Sequence, residues 1–204
     1  MRLAGLVCAF LLLVVEGASA EWQIRPFLGA TFGTSTTFVD LERAYPEDGA
    51  GKRNITVGVN GAWLGNMLGF EGDLGLAPGF FQRGDQELVL SSRVTTLTGN
   101  LVLTLPRRMT RYTLRPYLVG GAGLMRVRID EFFGTLKVVD TLPAIDIGGG
   151  ATGFLSDYVG VNWDVRYFRS VGGSSGDGVT FGREQLSFWR ATMGVAIRTE
   201  RTIP

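Results

Sequence analysis

The chain has 204 residues, 30 of them glycine, with 20 lysines and arginines against 19 aspartates and glutamates. A formal charge of +1 offers little for nucleic acid or a polyanionic partner to hold. Histidine is absent and the single cysteine is Cys8, which excludes a histidine general base and leaves residues 21–204 without a thiol, a disulfide or a Cys metal site.

Residues 1–20 read as a cleavable signal peptide. Arg2 supplies a positive start, Leu3 to Val15 is apolar, and Ala18-Ser19-Ala20 fits an A-x-A cleavage site. The apolar run of about 13 residues is short of the roughly 20 that a membrane-spanning helix needs. Residues 21–204 suit one domain. Cys8 follows Gly5-Leu6-Val7, a poor context for lipoprotein processing. No later apolar run reaches spanning length, so any entry into a membrane is by strands.

Eight strands follow from residues alternating with a period of two. The first, Trp22 to Phe32, sets Trp22, Ile24, Leu28, Ala30 and Phe32 against Gln23, Arg25, Gly29 and Thr31. The second, Asn54 to Leu64, sets Ile55, Val57, Val59 and Trp63 against Asn54, Thr56 and Asn60. The third, Leu68 to Phe80, opposes Leu68, Phe70, Leu74, Leu76 and Phe80 to Glu71 and Asp73. The fourth, Val94 to Leu105, opposes Leu97, Leu101, Leu103 and Leu105 to Thr96, Thr98, Asn100 and Thr104. In the fifth, Arg115 to Ile129, Tyr117, Val119, Met125, Val127 and Ile129 are expected on one face and Arg126 and Arg128 on the other. The sixth and seventh form a hairpin from Ile145 to Phe168 around the polar turn Ser156-Asp157-Tyr158. The eighth, Ser187 to Arg198, opposes Trp189, Ala191, Met193, Val195 and Ile197 to Arg190, Thr192 and Arg198. Each has about the 9–11 residues of a tilted transmembrane strand. Residues 34–53, 82–93, 130–143 and 171–186 read as long polar loops, and 65–67 and 156–158 as tight turns. Residues 106–113 are intermediate. Long loops on one side and short turns on the other are the pattern of an outer-membrane barrel, with both ends of the sheet on the short-turn side.

Alternation also fits a soluble, lipocalin-like barrel with its apolar face inside. Three features favour the opposite arrangement. The polar face is mostly Gly, Ala, Thr and Asn, and the only lysines are Lys52 and Lys137, both in expected loops; a face in bulk water would carry more Lys and Glu. Aromatic residues of apolar parity lie near strand ends: Trp22, Trp63, Phe70 and Tyr117 towards the short turns, Phe32, Phe80, Tyr167 and Trp189 towards the long loops. They read as two interfacial girdles. A signal peptide on a chain otherwise free of cysteine fits export to a bacterial envelope.

Arg115-Pro116-Tyr117-Leu118-Val119-Gly120-Gly121-Ala122-Gly123 resembles the P-Y-x-x-x-G-x-G strand of small outer-membrane β-barrel domains, the OmpA/OmpX-like family. Gly148-Gly149-Gly150, Leu155-Ser156-Asp157 and Asp164-Val165-Arg166-Tyr167 resemble that family's GGG…LSD…D-x-R-Y hairpin. The resemblance implies an all-β fold, an eight-stranded antiparallel up-and-down transmembrane barrel in the bacterial outer membrane. Family members commonly end on a terminal aromatic read by the assembly machinery. Here the last strand runs instead into Ile197-Arg198-Thr199-Glu200-Arg201-Thr202-Ile203-Pro204.

Arg25, Arg126, Arg128, Arg166, Arg190 and Arg198 share the expected inward parity with Glu71, Asp73, Asp146 and Asp164. In a narrow lumen such charges must pair or hold water. They form either a polar plug that fixes register or a gate across a small pore, and the plug is the stronger reading because barrels of eight strands are filled. Gly148-x-Gly150-x-x-Gly153 matches the dinucleotide fingerprint, but a strand rather than a helix follows it, so no phosphate-binding helix end is expected. Asn54-Ile55-Thr56 is a chance-frequency glycosylation sequon. Glu42, Glu47, Asp48 and Asp177 match no calcium loop and read as solvated loop charge.

The sequence therefore predicts a monomeric barrel without catalytic residues, cofactor or metal. Its partners are outer-membrane lipid and, during insertion, the barrel-assembly machinery. A structural or surface-interaction role comes first, with loop 34–53 as the contact segment. A narrow passive channel and a soluble periplasmic binding barrel are the alternatives.

Overall fold

The computed structural model describes residues 21–36, 54–80, 89–106, 110, 114–131, 137–171 and 186–199. The expected signal peptide, most of loop 34–53 and the loop acids Glu42, Glu47, Asp48 and Asp177 lie outside the described residues.

Eight strands follow in order: β1 (Glu21–Thr36), β2 (Asn54–Leu64), β3 (Leu68–Pro78), β4 (Val89–Thr104), β5 (Leu114–Glu131), β6 (Lys137–Phe154), β7 (Val159–Ser170) and β8 (Leu186–Arg198). Each pairs antiparallel with the next, and β8 pairs back to β1, so the sheet closes. Closure leaves no edge strand with unpaired backbone groups. The pairing path from Ile24 runs through Gly61, Gly72, Gly99, Ala122, Ile145, Arg169 and Ser187, and returns to β1 at Ser35 rather than at Ile24. That stagger is what tilts the strands of a closed barrel.

The short turns are tight for identifiable reasons. Gly65 N donates to Leu68 O at 2.8 Å. Leu155 N donates to Val159 O at 3.0 Å, while the Ser156 hydroxyl accepts from Val159 N at 3.1 Å. The ends of the sheet lie on this side: Glu21 pairs with Leu64 beside one turn, and Arg198 N donates to Tyr158 O at 2.9 Å beside another.

At the long-loop side several strands extend further than expected. β4 begins at Val89, and Asp130 of β5 pairs with Lys137 of β6, so most of the expected loop 130–143 is strand. Polar outward residues such as Thr141 disguise these extensions, because the strands outgrow the apolar belt.

The outer surface is apolar around the whole circumference. Leu28, Ile55, Phe70, Leu101, Leu118, Ile147, Val165 and Met193 are all exposed. The face of β5 is opposite to the expected one. Tyr117, Val119, Met125 and Val127 are buried, whereas Leu118, Leu124, Arg126 and Arg128 are exposed. Both parities of β5 carry large apolar residues, so alternation alone left its orientation open.

The interior holds two apolar layers. Towards the long loops, Ala77, Phe80, Val94, Met125, Val127, Ala144, Phe168, Leu186 and Phe188 pack together. Towards the short turns, Ala62, Leu64, Val102, Tyr117 and Val119 do so.

Candidate functional site

Between those layers lies a network of buried charge. Its members come from strands far apart in sequence, and the inward parity of each strand delivers them to one level. Arg25, Arg166 and Arg190 are 1%, 0% and 2% exposed, extreme values for arginine.

Glu71 of β3 is the hub. Its Oε2 accepts from Arg25 Nη2 at 2.5 Å and its Oε1 from Arg166 Nη1 at 2.6 Å. Asn60 and Asn100 donate to Oε1 at 3.4 and 3.3 Å. Arg166 also grips Asp164 with two bonds, Nε to Oδ1 at 2.6 Å and Nη2 to Oδ2 at 3.0 Å. Arg190 holds Asp73 in the same two-pronged way, at 2.9 and 2.6 Å. Planar guanidinium and carboxylate groups match best in this arrangement. The Arg190 guanidinium also lies between the rings of Phe27 and Phe168, 4.7 and 4.6 Å from their centroids. Tyr117 donates to Asp164 at 2.7 Å and lies 5.4 Å from the Arg25 guanidinium.

Inward glycines make room for these long side chains. A Cβ on Gly75 would meet Arg190 Nη1, one on Gly148 would meet Arg166 Cγ, and one on Gly150 would meet the Tyr117 hydroxyl. The glycine run that mimics a dinucleotide fingerprint therefore serves packing against Arg166 and Tyr117, on a strand rather than before a helix.

Asp146 stands apart within the network. It is 4% exposed, and neither carboxylate oxygen has a hydrogen-bond partner among the described residues. Arg166 Nη1 lies 3.7 Å from its Oδ2. A small internal cavity lies elsewhere, beside Arg190, with Thr31, Thr56, Thr96 and Phe188 in its wall. Its size suits about one water.

Of the charges expected in the lumen, Arg25, Glu71, Asp73, Asp146, Asp164, Arg166 and Arg190 meet in this layer. Arg198 sits at the short-turn mouth, where it donates to Asp157 O and lies 4.1 Å from the Phe154 ring centroid. Arg126 and Arg128 are corrected: they project from the outer surface, because β5 turns its Met125 and Val127 inward to complete the apolar layer.

Among the girdle residues, Trp22, Trp63, Phe70 and Trp189 are exposed on the outer face, with Phe32 and Tyr167 half-buried there. Tyr117 and Phe80 are corrected. Tyr117 follows the face of β5 into the lumen. Phe80 lies beyond Gly79, whose φ of 69° ends the alternation, and its ring packs 5.0 Å from Phe188 inside. Arg115 was overlooked in the sequence, although it shares parity with Tyr117. It is buried, and donates to Gly65 O at 2.5 Å and to Thr104 Oγ1 at 2.8 Å. Glu21, likewise overlooked, is buried 3.9 Å from Arg115 Nη1. Among the described residues, no group of three or more His, Cys, Asp or Glu residues is placed to hold a metal ion.

The sequence matches no family model and no curated protein sequence. The structure is similar to that of Neisserial surface protein A, at a TM-score of 0.63 and 15% identity over 90% of this chain and 100% of that one. It is also similar to the outer membrane protein OprG from Pseudomonas aeruginosa, at a TM-score of 0.55 and 15% identity over 90% of this chain and 97% of that one. The fold is that of the small eight-stranded outer-membrane barrels.

Proposed function

We propose that the protein is an integral outer-membrane barrel with a structural or surface-interaction role, and that its lumen is a plug rather than a pore. The inversion of polarity carries this reading. Leucine, isoleucine and valine face outward on the strands, while buried arginines and carboxylates pair within. In water that arrangement would expose a large apolar surface, whereas hydrocarbon removes the cost. The same inversion opposes the soluble binding barrel, whose apolar face would line the interior.

The plug reading is supported by how the interior is filled among the described residues. The Arg166–Glu71 and Arg190–Asp73 bridges cross the centre, and the layer containing Phe168, Phe188, Leu186 and Met125 packs the long-loop half. The names of the two similar proteins, a surface protein and an outer membrane protein, agree with this location.

Trp22, Trp63, Trp163 and Trp189 are 56%, 38%, 47% and 42% exposed on the outer face. Reconstitution into vesicles with brominated acyl chains should therefore quench most of the tryptophan fluorescence. A soluble quencher should have little effect. The reverse pattern would overturn the membrane reading.

A further inference from the structure

The two arginines that turned outward, Arg126 and Arg128, stand beside a third. Arg93 of β4 is also exposed, and strand pairing sets it directly opposite Arg128. Thr95 lies opposite Arg126 on one side and Thr141 on the other. Like charges directly opposite on neighbouring strands repel. Among the described residues, Arg93 and Arg126 have no ion-pair partner. One step further out the backbone register pairs Asp130 with Lys137.

Position narrows what could neutralise Arg93 and Arg126. The next outward pair towards the membrane centre is Leu97 and Leu124, 55% and 50% exposed. The guanidinium groups thus stand at the upper margin of the apolar belt, on the long-loop side. Arginine on a barrel's outer face is tolerated at that depth but costly at the midplane. On β1, β7 and β8 the corresponding margin carries Phe32, Tyr167 and Trp189 instead.

Below the leucines, Gly99 and Ala122 pair, followed by Leu101 and Gly120. A Cβ at Gly99 would meet nothing within 4 Å on this face. Leu101 and Gly120 belong to an open groove walled also by Leu103, Leu118 and Ile147. A charged rim above an apolar groove matches a molecule with an anionic head and hydrocarbon tails.

We infer that Arg93, Arg126 and Arg128, with Thr95 and Thr141, bind the phosphate groups of a lipid headgroup in the leaflet on the long-loop side. The guanidinium forks suit phosphate oxygens. This inference rests on the membrane orientation proposed above.

The test uses the full chain in detergent micelles and measures lipid retention by native mass spectrometry. The probes are a diphosphorylated disaccharide lipid, the same lipid without phosphates, and inorganic pyrophosphate. The wild type should retain the phosphorylated lipid about tenfold better than the other two. The R93Q/R126Q/R128Q variant should lose that preference, R93K/R126K/R128K should keep part of it, and R169Q, an outward arginine on β7, should keep it all. Heat-modifiable gel mobility checks that each variant is folded. Equal retention by the folded triple-Gln variant overturns the site. Pyrophosphate binding as tight as the lipid overturns the lipid as its occupant. Failure of the wild type to float with vesicles would instead sink the membrane orientation, whereas flotation with no phosphate preference sinks only this inference.

Discussion

Arg25 has one carboxylate within ion-pair reach among the described residues, Glu71 at 2.5 Å, and both side chains are at most 1% exposed. Arg166, which shares Glu71, keeps its two bonds to Asp164 when Glu71 is lost. The group stranded by Glu71→Gln is therefore Arg25. Leaving one member of a buried pair without its partner costs about 3–5 kcal/mol. Arg25→Met should cost a similar amount by stranding part of the Glu71 charge. Removing both charges strands neither, so the double variant should be more stable than the sum of the single costs by at least about 1.5 kcal/mol. The assay is urea unfolding in lipid vesicles, followed by tryptophan fluorescence and by the gel shift of the folded barrel. Additivity within about 0.5 kcal/mol would mean that the two side chains are not coupled. The buried-network account would then fail at its hub.

Other outcomes follow from the same geometry. Gly148→Val should destabilise by at least about 1–3 kcal/mol, because its side chain would meet Val165 O and Arg166 Cγ. Gly99→Val, facing open space outside, should change stability by less than about 0.5 kcal/mol in the same unfolding assay. Phe188 is 2% exposed and stacks on Phe168 at 5.2 Å, so Phe188→Ala should cost about 3–5 kcal/mol. Planar-bilayer recordings of the wild type and of Phe188→Ala should show no steady single-channel conductance, because the ion-pair layer still crosses the lumen. Steady conductance in the wild type would restore the channel reading.

Much of this barrel is legible along the chain. The strand count, the short-turn side and the faces of strands such as β1, β4 and β7 follow from local alternation, which assigns a side chain to a face with no knowledge of its neighbours. The inward position of Arg25, Glu71, Asp73, Asp164, Arg166 and Arg190 follows from the same rule. β5 marks where that rule stops. Leu118 and Leu124 on one parity, and Val119, Met125 and Val127 on the other, are equally apolar, and only packing against Phe168 and Phe188 from other strands decides which set turns inward. That decision also places Tyr117 on Asp164 and puts Arg126 and Arg128 outside. Partner choice was equally hidden. Glu71 and Arg166 meet across 95 residues, and Asp73 and Arg190 across 117. Which charges share a level depends on the stagger accumulated around the closed sheet, and no single strand carries that information.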